Sequence, residues 1–298
     1  MVESDDNLEG LKELIQNVQE SEKTPEIIEW MKEICAKEYG LIDSLILTFM
    51  DSLTEIEFAN SVLRCLKILN EYCKDLVLPQ MRENTNFPKA IANYLSKTKL
   101  KDLEGDGFIL LVEIFQTSAF KDVTSDAFVE ALFESLEYIK DEKVFLCIVH
   151  ILISISYDEP SLDKNLVLKY AAEHKSARYF AEALLLLLNK GKMTILVKTL
   201  KLIDNIFENE KTKESFFYTN DLKALVDILV REISNTSSDE IRMMYLNILP
   251  GLLNTKEYQT SKHRAEDIKQ MCDDLAFSEE ISEDCRKKVD QILELGVL

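Results

Sequence analysis

The sequence predicts an all-α protein, a right-handed helical solenoid of about fourteen helices, on three observations. Turn formers are scarce: 7 Gly and 5 Pro among 298 residues, about 4%, where roughly 12% is usual. So few turn residues cannot build the hairpins of a β-sandwich or barrel. Apolar spacing is helical nearly everywhere, with no convincing period-two alternation. Finally, long helices recur, with starts expected near 57, 107, 142, 193, 239 and 282. Their mean interval of about 45 is the period of armadillo and HEAT repeats, in which two or three helices form a unit that closes its core only by stacking. Apolar residues at 46% and charged residues at 30% are ordinary for a globular chain and argue against disorder.

The elements follow in order. Residues 1–20 form an acidic segment expected to be loose, and 21–298 a single continuous armadillo/HEAT-like domain, because no Pro-, Gly- or Ser-rich linker divides the chain. Thr24 followed by Pro25 reads as a cap before a proline at the first helical position. Thr54-x-x-Glu57 reads as a capping box ahead of the stripe Phe58, Val62, Cys65, Leu66, Leu69, Tyr72, Cys73 and Leu76, whose steps of 3, 4 and 1 mark one helix face. Gly105-Asp106-Gly107 is expected to be a turn before a helix, not a phosphate loop. Val144–Tyr157, the longest stretch free of Asp, Glu, Lys and Arg, has fourteen residues, which suits a core helix and is too short to span a bilayer. Leu184–Leu188 is apolar all round and is expected inside the stack. Asn220 is expected to cap a helix opening at Asp221 with Leu222, Leu225, Val226, Leu229 and Ile233 inward. Ser237-x-x-Glu240 reads as a second capping box, and Pro250 should kink the helix that follows it.

Composition excludes more functions than it suggests. Fifty-four acids against 35 bases give a net charge of −19, which disfavours nucleic acid and anionic membrane surfaces. The imbalance is uneven: residues 1–60 carry 15 acids and 4 bases (−11), and residues 161–213 carry 10 bases and 6 acids (+4). Six cysteines without a CxxC, and only three histidines, give no zinc spacing. Cys65 and Cys73 read as buried small hydrophobes, and the chain as intracellular and reduced. No signal segment opens the chain, and Met1-Val2 cannot be myristoylated. Walker, HExxH and GxSxG motifs are absent, and His150 reads as a core or edge histidine. No enzyme chemistry, cofactor or metal is expected. With Trp30 as its only tryptophan, the chain lacks the tryptophan-asparagine ladders of nuclear-transport solenoids. Arg286-Lys287-Lys288-Val289 is a faint echo of an actin-monomer-binding LKKV motif inside an ordinary amphipathic helix.

One block is not generic. Residues 215–232, SFFYTNDLKALVDILVRE, together with Leu252-Leu253-Asn254-Thr255-Lys256-Glu257-Tyr258 and Lys262-His263-Arg264, resemble the leucine-rich domain of the WISH/DIP/SPIN family over about 50 residues. Vertebrate members add an SH3 module and proline-rich sequence; this chain shows neither and is similar to the compact fungal form. The resemblance implies a partner, the actin-related protein 2/3 (Arp2/3) complex, activated without a pre-existing filament. The complex then seeds linear actin filaments that start branched networks, such as endocytic patches, so cytoplasmic, cortical actin patches are the implied location. Nucleic acid and membrane insertion are not expected. The alternative is an armadillo-type scaffold of another kind, a GTPase-binding domain or a kinase or phosphatase adaptor.

Candidate partner-binding residues are Tyr218 and Arg231, because Tyr and Arg are common binding anchors. The basic cluster Lys262, His263 and Arg264 adds to them, as do Arg178, Lys198 and Lys201 from the positive middle segment. Each has a plainer reading as a tie between repeats or a solvated face.

Overall fold

A computed structural model describes residues 2–36, 39–98, 104–115, 120–190, 193–278 and 281–296. These residues are all-helical, with 78% helix, no strand and seventeen α-helices in a solenoid-like arrangement. The chain divides into two compact units, Met1–Ile151 and Leu152–Leu298.

In the first unit lie α1 (Val2–Glu20), α2 (Pro25–Ile34), α3 (Leu41–Asp51), α4 (Ile56–Tyr72), α5 (Lys74–Glu83), α6 (Phe87–Lys97), α7 (Asp106–Ile114) and α8 (Asp126–Tyr138). The division falls inside α9 (Glu142–Asp158). The second unit continues with α10 (Leu166–Glu173), α11 (Ala177–Lys190), α12 (Met193–Glu208), α13 (Thr219–Asn235), α14 (Asp239–Leu253), α15 (Lys256–Ser261), α16 (Ala265–Ala276) and α17 (Glu283–Glu294). The six expected long helices open at 56, 106, 142, 193, 239 and 283, each within one residue of the spacing read from sequence. The count exceeds fourteen because short helices such as the six-residue α15 carry too little apolar pattern to register.

In the first unit α4 is the hub: α1, α2, α3, α5 and α7 all pack on it. Its stripe is buried as expected at Val62, Cys65, Leu66 and Leu69, and Tyr72 is exposed, but the stripe is not one helix: α4 ends at Tyr72, buried Cys73 caps it, and exposed Leu76 lies on α5. Phe49 sets its ring edge against Phe87 and Tyr94, with centroids 5.8 and 5.6 Å apart, and the Tyr94 hydroxyl donates to Asn60 Oδ1 at 2.8 Å. Gly105 alone precedes α7, Asp106 and Gly107 lying inside its first turn rather than in a turn before it, and both glycines serve packing. Gly105 flanks the start of α7 under Val144, and a Cβ on Gly107 would meet Leu95 Cδ2 at 3.2 Å.

The second unit is a ladder of two layers. α11 packs on α13 and α13 on α16, while α12 packs on α14 and α14 on α17; α11·α12, α13·α14 and α16·α17 join the layers. At the α13–α14 turn, Arg242 is buried and donates to the carbonyls of Ile233 and Thr236 and to Asp239, which satisfies carbonyls that the helix end leaves open.

Local start signals hold at some helices and fail at others. Thr24 caps α2 as expected, accepting from Ile27 N with Pro25 following. Thr54 does not cap α4, whose N-cap is Glu55 without a side-chain bond. Ser238, not Ser237, caps α14 by accepting from Ile241 N. α13 opens at Thr219 after Tyr218, so Asn220 lies inside it. Within Leu184–Leu188, Leu186 is 40% exposed and the rest are buried. α14 runs through Pro250 to Leu253, the proline being taken up in its last turn.

Candidate functional site

The 215–232 block is built from the inside out. Phe216 meets Phe180 of α11 edge to face at 6.0 Å, and Phe217 stacks on Phe207 of α12 at 5.7 Å. This aromatic pair wedges the chain between the two layers and fixes where α13 begins. Leu222, Leu225, Val226 and Leu229 then point inward and are buried, as their spacing requires.

The outward positions carry the candidates. Tyr218 sits at the α13 N-cap, 63% exposed, with no side-chain capping bond. Arg231 donates through Nη2 to Asn189 Oδ1 of α11 at 2.8 Å and pairs with Glu232 at 2.7 Å. One turn earlier on α13, Asp227 receives His263 Nε2 at 3.0 Å and Arg264 Nη1 at 3.3 Å. Arg264 also donates to Asp267 Oδ2 at 2.7 Å. The Asp267 hydrogen bond raises the Arg264 pKa above its ordinary value; slight burial opposes the rise, and Asp227 adds to it. The layer α11–α13–α16 is therefore cross-braced by polar pairs on its outer side.

The loop from Lys262 to Arg264 has an unusual backbone. Lys262 (φ 46) and Arg264 (φ 55) are the non-glycine residues in the left-handed region among those described. Lys262 ends α15 and Arg264 precedes α16. Such residues cost about 1–3 kcal/mol each; the exposed Asp227 and Asp267 pairs offset only part of that on the Arg264 side.

The other candidates lie elsewhere in the unit. Arg178, at the start of α11, covers the neighbouring Tyr179 ring at 4.6 Å and donates to its hydroxyl. Lys198 and Lys201 belong to the other layer, on α12. Lys198 stands over the Tyr157 ring at 5.3 Å and donates to Ser154 Oγ at 3.3 Å, and Lys201 pairs with Asp204 at 3.0 Å. The structure thus gathers Arg231, His263 and Arg264 along α13 and leaves Lys198 and Lys201 apart from them. Asp227, the residue that joins the first group, escapes sequence reasoning: its partners lie 36 and 37 residues away, and only its spacing of four from Arg231 hints at a shared face.

Residues 140–268 match the family model of the SPIN90/Ldb17 leucine-rich domain. This stretch is similar to a SPIN90/Ldb17 leucine-rich domain. This bears out the resemblance to the WISH/DIP/SPIN family. The matched stretch runs from just before α9 into the first turn of α16 and contains every candidate residue above. Protein LDB17 of Saccharomyces cerevisiae is 32% identical over 126 residues, 41% of this chain and 26% of that protein. Protein LDB17 of Eremothecium gossypii is 31% identical over 111 residues, 35% of this chain and 24% of that protein. The chain thus spans about a quarter of the length of these relatives. Among the described residues no helix is long and apolar enough to cross a membrane, and no cluster of His, Cys, Asp and Glu could hold a metal.

Proposed function

We propose that this chain binds the Arp2/3 complex and activates it without a preformed filament, seeding linear actin filaments in cortical patches. The observation that carries the reading is the leucine-rich domain match over residues 140–268, with the 215–232 block inside it. Activation of this kind is a population shift. The activator must bind the filament-like arrangement of the two actin-related subunits more tightly than the splayed one; equal affinity for both shifts nothing.

A layer braced by Arg231–Asn189 and by His263 and Arg264 on Asp227 supports this task, because a surface that does not reorder on contact loses little of its binding energy to entropy. Tyr218 is the proposed aromatic anchor. Arg231, Lys262, His263 and Arg264 on the same layer, with Arg178, Lys198 and Lys201, are the proposed partners of acidic groups. The test is a fluorescent actin assembly assay with purified Arp2/3 complex and this chain. A shortened lag and mostly unbranched filaments are expected. No acceleration at micromolar chain overturns the reading, and branches that need added filaments overturn its linear-seeding part. A pull-down that retains a GTPase, kinase or phosphatase but no Arp2/3 subunit favours the scaffold alternative.

A further inference from the structure

The first unit holds a feature that the leucine-rich domain does not account for, since it lies outside residues 140–268. α1 carries two apolar stripes. Ile15 and Val18 are buried on the side where α1 packs on α4, held there by Gln19 Nε2 donating to the Ser61 carbonyl at 2.7 Å. Leu8, Leu11 and Leu14 form the other flank and are not buried. They line a cleft of about 870 Å³ with Trp30 and Ile34 of α2 and Leu41 of α3. Tyr39, also lining it, is 60% exposed, and Leu47 farther along α3 is 55% exposed. Contiguous apolar surface with a polar rim marks an interaction site.

The three helices that form the cleft are acidic on their exposed faces, and Glu33 lines the cleft itself. Glu9, Glu13, Glu26, Glu29, Glu33 and Asp43 are all exposed on these three helices. The described cations of the segment point to other duties. The Lys12 ammonium lies 5.3 Å over the Phe58 ring, Lys23 donates to the carbonyls of Val18 and Ser21, and Lys32 is taken by Glu29 at 3.2 Å. A cleft with Leu8, Leu11, Leu14, Trp30 and Ile34 in its lining, Glu33 on its wall and further exposed acids on the helices that form it is complementary to a helix with an apolar stripe flanked by lysine or arginine, the helix-in-groove mode of recognition.

We propose that the α1–α2–α3 cleft is a docking groove for a basic amphipathic helix of a protein partner. The proposal is independent of the Arp2/3 reading. Trp30 is the only tryptophan and lines the groove, so its emission reports occupancy without a label. The probe is a Leu/Lys amphipathic peptide of about 18 residues, about five turns, titrated into the full chain. Two controls accompany it: a scrambled peptide of the same composition and an analogue with Glu for Lys. A saturating shift in Trp30 emission is expected, with binding about tenfold weaker for the scrambled peptide and absent for the acidic one. Ser44→Arg fills the groove wall with a cation and is expected to weaken binding about tenfold with an unchanged melt. Should that variant melt early, Glu33→Lys on the exposed rim decides instead, with the same expected loss. Equal binding of the scrambled peptide, binding without a change at Trp30, or full affinity in the deciding variant overturns the proposal. So does a shift in Trp30 emission with chain concentration alone, which would assign the groove to a second copy of this chain.

Discussion

Gly251→Ala separates packing from propensity in a single atom. Gly251 lies in α14 where that helix approaches α12. A Cβ placed there would stand 2.6 Å from Phe207 Cβ and 3.4 Å from the Phe207 carbonyl oxygen. Carbon atoms rest at about 3.5–4.0 Å, so the two helices must part by roughly 1 Å. Phe207 Cβ is fixed to its backbone, and no rotamer change relieves the contact. Overpacking of this kind costs about 1–3 kcal/mol, against a gain of about 1 kcal/mol for Ala over Gly in a helix. Gly10 is the control: it lies in α1, and a Cβ added there meets nothing within 4 Å, so Gly10→Ala keeps the propensity gain alone. The difference between the two variants isolates the strain, about 1–3 kcal/mol, or several degrees in Tm at about 2–4 °C per kcal/mol. The assay is urea and thermal unfolding followed by circular dichroism. A Gly251→Ala protein that melts with or above Gly10→Ala at an unchanged urea slope would refute the close approach of α12 and α14.

Leu225 is wholly buried, and Leu225→Ala is expected to cost about 2–5 kcal/mol; a loss below about 1 kcal/mol would contradict its burial. We propose that residues 21–298 unfold as one continuous domain, giving a single thermal transition; two separated steps would assign two domains. Reversing Lys262 and Arg264 to Glu removes the Arg264 pairs with Asp227 and Asp267, exposed pairs worth about 0–1 kcal/mol each. The double variant should fold; on the proposed function it should bind Arp2/3 complex more slowly and with altered salt dependence, and wild-type binding at two salt concentrations would confine the cluster to bracing. Burial pushes the thiols of Cys35, Cys65 and Cys272 up to about 12 and the Tyr245 and Tyr258 hydroxyls to about 12. Raised values mean that their contribution is complete below the unfolded values of about 9 and 10 and is lost as pH rises toward 12. Tm should therefore fall as pH rises above about 9, and a flat profile from there to about 10.5 would contradict the burial of these groups.

The long helices are legible in the sequence because each carries several turns of apolar stripe, and α4, α7, α9, α12, α14 and α17 begin within one residue of expectation. Caps are less legible. Ser237 and Ser238 differ by one position in the same kind of sequence, and only backbone geometry chooses between them. The candidate site is legible as residue types but not as an arrangement. Arg231 finds Asn189 across 42 residues and His263 finds Asp227 across 36, separations over which pattern carries no information. The groove of α1, α2 and α3 shows in the sequence only as charge, because three helices of unrelated sequence build it.

The pairing of α14 with α17 bears on where this protein can be cut. The family-model match ends at residue 268, within the first turn of α16, yet Cys285, Val289 and Ile292 of α17 are buried and α17 packs on α14 and α16. Ser282 N donates to Asp239 Oδ2 at 2.5 Å and the Cys285 thiol to the Asp239 carbonyl at 3.5 Å, so α17 also tethers the N-terminus of α14. A fragment trimmed to the boundaries of similarity would lose this last rung and open the apolar flank of α14 to water. Homology and foldability thus have different endpoints here, and an excised leucine-rich domain should keep the chain through α17 if it is to stay in solution.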